Sequence, residues 1–462
     1  MLSIGLMSGT SMDGIDVALL QTDGSENKIH ALGHLAIPYQ RSFKTLLKSA
    51  EFAVRQSKGD LDHVRKHFGP FIEQYATQEL KLPQENIPSL LEKLSLYLYG
   101  HKNQTIHFDD IVKHSTELHA QAVKNLLQQT DLLPHQVDVI GYHGQTLFHR
   151  PHESLSIIVG DGALLANLLG ITVVNDFRRV DMQAGGQGAP FAPLFHQALA
   201  IKYKRIPLAV VNCGGIANIS LIQNKDPLDL IAYDTGPGNG LIDRLVVQRT
   251  CGKEHMDMNG QYGKKGIVNP DVFQALYDKS IIVNGVNFLK MSPPKALDIG
   301  DLQLIPELDT LSIEDACATL EAFTADTIIN SLNLINAPCP KNWVLAGGGW
   351  NNPVIRKNLQ DRLEQKFNGH CHVQTADEVG WNTHALEAQI FAYLAVRSLK
   401  QKPLSFPGTT QVPMPLTGGH AHLPSQGATS EVQHLLKNNP AVLTGYQGSL
   451  HVHSTHLFTT SN

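Results

Sequence analysis

The sequence predicts an α/β protein of two similar halves, and three observations carry that prediction. The chain opens with a short apolar run, a turn of small residues and a second apolar run. The same order of strand, glycine turn and strand returns near residue 208. In each half a third strand-like run and helices follow, and then a further strand that reaches glycine. Recurrence of element order without recurrence of residue identity is what a duplicated architecture predicts.

Residues 2–6 read as a buried strand, residues 15–20 as the next, and residues 30–37 as a third. Residues 43–129 are mostly helical, with apolar spacing of helical period around 89–98 and 119–127. Residues 137–142 read as a strand ending at Gly144, residues 155–159 as a hairpin insertion after Pro151, and residues 171–174 as another strand. The second half gives strands over 208–213, 216–222 and 230–233. Its clearest helix covers 313–334, where Ser312 and Asp315 form a cap ahead of an apolar face. Residues 343–346 form a strand before Gly347, Gly348 and Gly349, and 372–374 a last one. The break between lobes is expected within 202–207, giving an N-terminal lobe of residues 1–204 and a C-terminal lobe of residues 205–381. A helix over about 382–400, with Leu386, Ile390, Leu394 and Leu399 aligned, is expected to pack back on the first lobe. Residues 425–462 are polar and weakly patterned and read as a tail.

Composition narrows the function classes. A chain of 462 residues exceeds one ordinary core, and 42% apolar with 17% charged residues suits a globular enzyme. The net charge of −5, without basic blocks, argues against nucleic-acid binding. The five cysteines show no Cys-x-x-Cys spacing and read as reduced thiols. No signal peptide is expected, and the apolar stretch 163–174 is broken by Asn167 and Gly170 and is too short to span a bilayer. A cytoplasmic enzyme is the expectation.

Two turns carry the chemistry. Met7-Ser8-Gly9-Thr10-Ser11-Met12-Asp13 joins strands without a helix, so it reads as a phosphate-binding hairpin. Successive backbone N–H groups in such a turn cradle anions, and Ser8, Thr10 and Ser11 add hydroxyls. Asp13 and Asp16 are placed to hold Mg²⁺ through water, with Asp234 a further candidate. Gly214, Gly215 and Asn218 occupy the matching hairpin of the second half. Two such hairpins facing one cleft would grip a triphosphate from both sides. Gly347 and Gly348 either admit a flat adenine ring against bare backbone or form a close-packing turn. The richest loop holds Asp176, Arg178, Arg179 and Asp181, followed by Gly185-Gly186-Gln187-Gly188. Two arginines beside an acid suit an anionic substrate while the acid does chemistry. His143 and Thr146, after a strand, and Asp234, at another strand end, present polar groups for substrate, with structural roles as the alternative. His451, His453 and His456 read as a solvated tail rather than a metal site.

At these residues the sequence resembles the anhydro-N-acetylmuramic acid kinases. The resemblance runs from Ile4 to about Pro424 and includes Gly141-Tyr142-His143-Gly144-Gln145-Thr146, Asn175 through Pro190, Cys213-Gly214-Gly215-Ile216-Ala217-Asn218, Asp234 through Asn239 and the triple glycine at Gly347. Cys213 stands where that family often has leucine. The resemblance implies two ribonuclease H-like domains of the actin-like ATPase and sugar kinase type, with a deep interdomain cleft. It implies an ATP-dependent enzyme, with Mg²⁺, that converts 1,6-anhydro-N-acetylmuramic acid to N-acetylmuramic acid 6-phosphate in cell-wall recycling. It carries the nucleotide site onto Gly9, Thr10, Ser11, Met12, Asp13, Gly14, Ile15 and Asp16, and the general base onto Asp181. Arg178 and Gln187 fall in the same loop as candidate substrate contacts. The expected partners are the sugar and ATP, with a homodimer left open. A rival of another class is an actin-like or chaperone-like ATPase with a protein partner, and a sugar hydrolase without ATP would leave both hairpins unexplained.

Overall fold

The computed structural model describes residues 1–9, 11–153 and 155–443. Thr10 and the histidines at 451, 453 and 456 lie outside them. The chain forms two compact units, one of residues 1–188, 384–405 and 412 onward, the other of residues 189–383 and 406–411. Among the described residues no helix is long and apolar enough to cross a membrane.

The first unit opens with β1 (Leu2–Ser8), β2 (Gly14–Thr22) and β3 (Ile29–Pro38), an antiparallel meander. Helices α1 (Arg41–Gln56), α2 (Leu61–Gln78), α3 (Ile87–Tyr99) and α4 (Phe108–Gln129) follow. Then come β4 (Val139–Arg150), β5 (Leu155–Val159), α5 (Gly162–Leu169), β6 (Thr172–Asn175) and the short α6 (Arg179–Gln183). Alternation along β2 sends Ile15, Val17 and Leu19 into a core shared with Ile4, Leu6, Val123 and Leu126.

The second unit holds α7 (Ala192–Lys202), β7 (Leu208–Cys213), β8 (Ile216–Ile222), β9 (Ile231–Pro237), α8 (Gly240–Arg249) and α9 (Pro270–Lys279). A two-residue pair, β10 (Ile282–Val283) and β11 (Val286–Asn287), precedes α10 (Ile313–Ser331), β12 (Asn342–Ala346), α11 (Pro353–Phe367) and β13 (His372–Thr375). The expected cap is present, since the Ser312 side chain accepts from Asp315 N at 3.0 Å. The chain then gives α12 (Leu386–Leu399) to the first unit, α13 (Pro407–Thr410) to the second, and β14 (His420–His422) and α14 (Ser430–Asn438) to the first.

The duplication appears in the sheets. The first unit's seven-stranded sheet runs β14-β6-β4-β1-β2-β3 with β5 on β4, and the second's five-stranded sheet runs β13-β12-β7-β8-β9. Within each, the meander is antiparallel and the next two strands are parallel to its first strand. Each unit therefore has the ribonuclease H-like order expected of it.

Three boundaries differ from the sequence reading. The first unit ends at Gly188, earlier than 202–207, because α7 packs on the second sheet. Gln197 Nε2 there donates to the carbonyls of Asn224 and Asp226. β4 does not stop at Gly144: that residue takes φ +83°, the register with β1 shifts, and the strand continues as a hairpin with β5. Residues 425–443 are not a bare tail, since α14 is a helix whose cap residue Thr429 donates to the Asp138 carboxylate at 2.9 Å.

Helix α12 lies on the first sheet, as its periodicity implied, and two glycines decide how closely. Gly5 and Gly141 are register partners on β1 and β4. A Cβ at Gly5 would fall 1.7 Å from Ala388 O, and one at Gly141 2.0 Å from Phe391 O. Any larger residue would push the helix off the sheet.

Candidate active site

The first hairpin divides into a structural half and an open half. Gly14 packs against β3, where a Cβ would lie 2.3 Å from Ile37 O. Ile15 and Met12 are buried core side chains, Met12 at φ +55°. Of the eight residues carried over as a nucleotide site, these three therefore have only backbone to offer a ligand. Gly9 faces open space, with only Ser11 Oγ within 4 Å of a built Cβ. Its carbonyl accepts from Gln145 Nε2 at 2.7 Å and from Met12 N at 3.1 Å. Ser8, read as a phosphate donor, instead donates to His119 Nε2 at 2.5 Å. Nδ1 of that ring donates to Ser115 O at 2.7 Å, and full burial favours the neutral ring. Burial pushes it down to about 4.

The two acids of this hairpin differ. Asp13 is exposed and paired with Lys44 at 2.5 Å. Asp16 is half-buried and held above the ordinary carboxylate range by burial, against the opposing charges of His384 and His34. Beside it Glu387, at the start of α12, is raised by desolvation and by the Asp16 charge. Its side chain still meets solvent, although protein crowds around it. Two neighbouring carboxylates, one reached by water, suit a hard cation held through water. No group of three metal-ligating side chains occurs among the described residues. Glu387 was missed in the sequence because nothing but the packing of α12 on β2 brings it to Asp16.

In the second unit, the carbonyls of Gly214 and Gly215 accept from the N–H groups of Asn239, Gly238 and Gly240 at 2.8–3.1 Å. A Cβ at Gly215 would lie 2.8 Å from Ile299 Cδ1, whereas Gly214 is nearly open. Asn218 pairs with Asn212 and Asp234 in the sheet. The triple glycine divides into two packed positions and one open one. Gly347, at φ +92°, would strike Asn212 Oδ1 at 2.5 Å, and Gly349 would strike Cys213 Sγ at 2.4 Å, so both are close-packing positions. Gly348 has nothing within 4 Å of a built Cβ and alone stays bare.

Asp234 does not present a free carboxylate. Its Oδ2 accepts from Leu297 N at 2.8 Å, and its own N–H donates to Lys295 O at 2.9 Å. Burial pushes its carboxyl up to about 7 and the Lys295 ammonium down to about 8. It ties the 288–302 segment to β9 through Oδ2, a structural role beside the ligand-binding one expected from the sequence. Asp161 likewise caps α5, accepting from Leu164 N at 2.9 Å.

The loop after β6 builds the other half of the first unit's chemistry. Asp176, at φ +58°, pairs with Arg179 at 2.6 Å and fixes the loop's start. Asp181 is 1% exposed on α6. Its Oδ1 accepts from Gly188 N at 2.6 Å, and a Cβ at Gly186 would fall 2.2 Å from that same oxygen. The glycine run thus wraps the carboxylate, with Gln187 between its two closest glycines. The Arg178 side chain is half-buried with its Nε covered, and desolvation lowers its guanidinium to about 10 while the Asp181 charge supports it. Its Nη2 donates to His143 Nε2 at 3.0 Å, and His143 Nδ1 donates to Gly144 O at 2.9 Å. Both ring nitrogens are used within the protein, so His143 is not free to contact substrate. Thr146 is buried on β4 next to Gln145, the residue that holds Gly9.

A family model described as anhydro-N-acetylmuramic acid kinase matches residues 1–89 and 72–421. A protein of that name from Zymomonas mobilis is 40% identical over 422 residues, covering 91% of this chain and all of the relative. Namesakes from Rhizorhabdus wittichii and Methylorubrum populi are 38% and 37% identical, covering 92% and 90% of this chain and 99% and 97% of their own lengths.

Proposed function

This chain belongs to the anhydro-N-acetylmuramic acid kinase family, and we propose that Asp181 is the general base of its reaction. The enzyme is an ATP-dependent kinase of cell-wall recycling that opens the 1,6-anhydro ring and phosphorylates O6, giving N-acetylmuramic acid 6-phosphate and ADP. The observation that carries the Asp181 assignment is a buried carboxylate wrapped by glycine backbone, with the positive charge of half-buried Arg178 supporting it.

In this reading a water oxygen bonds to the anomeric carbon while the bond from that carbon to O6 breaks. Asp181 takes the water's proton. The freed O6 bonds to the γ-phosphorus, the bond to the β-phosphate oxygen breaks, and ADP leaves. One base and no covalent sugar intermediate match inverting glycoside hydrolysis, and phosphoryl capture of O6 removes the need for a second acid. Phosphoryl transfer asks mainly for positioning and charge neutralisation. In the first unit Gly9 and Ser11 are the proposed phosphate contacts; in the second, Gly214 is proposed as bare backbone for phosphate and Gly348 for adenine. Their support is the open space in front of Gly9, Gly214 and Gly348. Asp16 and Glu387 are the proposed carboxylates for Mg²⁺, which when bound neutralises phosphate charge. Arg178 is proposed to serve Asp181 electrostatically. A cytoplasmic location is proposed because the reaction consumes ATP.

The test is ADP release from purified protein with a panel of anhydro and ordinary sugars. Turnover should require 1,6-anhydro-N-acetylmuramic acid. Asp181→Asn keeps an oxygen for Gly188 N and should fold, yet lose kcat by about 10²–10⁴. Retention of more than about a tenth of the rate would remove Asp181 from the role.

A further inference from the structure

We propose that His143 is a positioning residue for this reaction: it anchors the Arg178 guanidinium so that the positive charge stays on Asp181. The proposal rests on Asp181 being the base.

The hydrogen-bond donors and acceptors leave one arrangement. A carbonyl only accepts, so His143 Nδ1 must carry the proton it gives to Gly144 O. A guanidinium only donates, so Nε2 must be the bare acceptor for Arg178 Nη2. Protonating Nε2 would set two donors against each other beside a half-buried cation. Burial and the Arg178 charge accordingly push His143 down to about 3, and the ring stays neutral over the whole working range.

The scaffold fixes the ring on each side. The bulge at Gly144 places the carbonyl of residue 144 within reach of the preceding imidazole. A Cβ at Gly144 would fall 2.8 Å from Ile158 Cγ2 and 2.9 Å from Val159 O, so glycine is needed there. Phe391 of α12 covers the ring, with centroids 4.6 Å apart, and Phe177 backs Phe391 at 5.4 Å. That cover depends on Gly141, whose missing side chain lets α12 descend. The charged and titratable groups around the ring are Arg178 from the loop after β6, neutral His119 from α4 and, across Arg178, Asp181.

Arg178 needs such an anchor. Its Nε is buried without a partner, so among the described residues the guanidinium is held by the bond to His143 and by the Asp181 charge. A half-buried cation with one hydrogen bond removed would turn or draw in water, and the charge beside the carboxylate would be diluted.

The experiment compares His143→Leu, His143→Gln and Asp181→Asn in steady-state kinetics across pH, with circular dichroism as the check of folding. His143→Leu removes the acceptor. It should lower kcat about 10- to 100-fold, leave KM for sugar and ATP within about threefold, and move the acid limb of kcat to higher pH, since a carboxylate with a weaker neighbouring cation ionises later. His143→Gln offers a carbonyl oxygen to Arg178 and should recover most of the rate and the original limb. The proposal is overturned if His143→Leu keeps the wild-type kcat and limb while Asp181→Asn is inactive. It is also overturned if the loss lies in KM for the sugar, which would make the ring a substrate contact. Should His143→Leu fail to fold, His143→Gln decides alone: a limb displaced as far as a tenfold loss of rate or more would refute anchoring through an acceptor. Activity in Asp181→Asn would instead fell the base assignment itself.

Discussion

Glu321→Gln should convert a pH-dependent second unit into one that is far less so. Glu321 sits in the middle of α10 with no exposed surface. Its Oε1 accepts from Asn352 Nδ2 at 2.6 Å, while Oε2 accepts nothing and faces Asp257. The Asp257 oxygens accept from Tyr262 N and Gly263 N at 2.9 and 3.0 Å. Burial first, and then Asp257, push the Glu321 carboxyl up from 4.5 to about 8. A raised carboxyl contributes stability that is fully present below about pH 4.5 and is lost as pH climbs through about 8. At 1.36 kcal/mol per pH unit, the loss is on the order of 5 kcal/mol at most, and water entering the site would reduce it. Glutamine keeps an acceptor for Asn352 and gives Asp257 an N–H donor, so the variant should lack that loss. Urea unfolding at pH 5, 6.5 and 8, followed by tryptophan fluorescence, measures it, because Trp343, Trp350 and Trp381 all lie in the second unit. Asp234, Asp243 and Lys295 also titrate abnormally there, but they are common to both proteins and cancel in the difference. A wild-type-minus-variant difference that stays flat from pH 5 to 8 would refute a protonated Glu321.

Gly141→Ala puts a methyl 2.0 Å from the Phe391 carbonyl, so it should destabilise the first unit by about 3 kcal/mol or more, read as a lower urea midpoint. Gly347→Ala and Gly348→Ala should separate cleanly. The first, strained by φ +92° and a 2.5 Å approach to Asn212, should lose stability with little change in KM for ATP per folded molecule. The second should melt like wild type and raise KM for ATP severalfold, as nucleotide titration would show.

Much of the fold was legible because its signals are local. Apolar runs on either side of small-residue turns marked β1, β2, β7 and β8, a serine cap marked the start of α10, and helical spacing marked α12. Boundaries set by long-range packing were not legible. Nothing in residues 189–204 says that Gln197 will bond to Asn224 and Asp226, so the chain was divided too late. β14 is three residues long and exists by pairing with β6, a strand distant in sequence. The site was legible as motifs but not as roles. Ser8, His143 and Asp234 all looked like ligand contacts, and each has at least one polar side-chain atom engaged by His119, Arg178 or Leu297. Residue type and spacing indicate which groups gather, while hydrogen-bond partners decide which remain available.

The glycines argue the same point from the other direction. A glycine motif is usually read as room for a ligand, yet here the missing side chain serves three different ends. At Gly5, Gly14, Gly141 and Gly347 the vacated space is filled by protein backbone or a polar side chain of the fold. At Gly186 it is filled by the carboxylate of Asp181, so the glycine seats the proposed base rather than leaving room for a sugar. Among the glycines of the two hairpins and the triple-glycine turn, only Gly9, Gly348 and, nearly, Gly214 keep that space open. Those three lie at the hairpin turns and the strand end where a nucleotide would meet bare backbone. The close-packed glycines hold the strands that present them. The phosphate-binding reading therefore rests on a few open positions, and substitutions at the filled ones should reach activity only by way of folding.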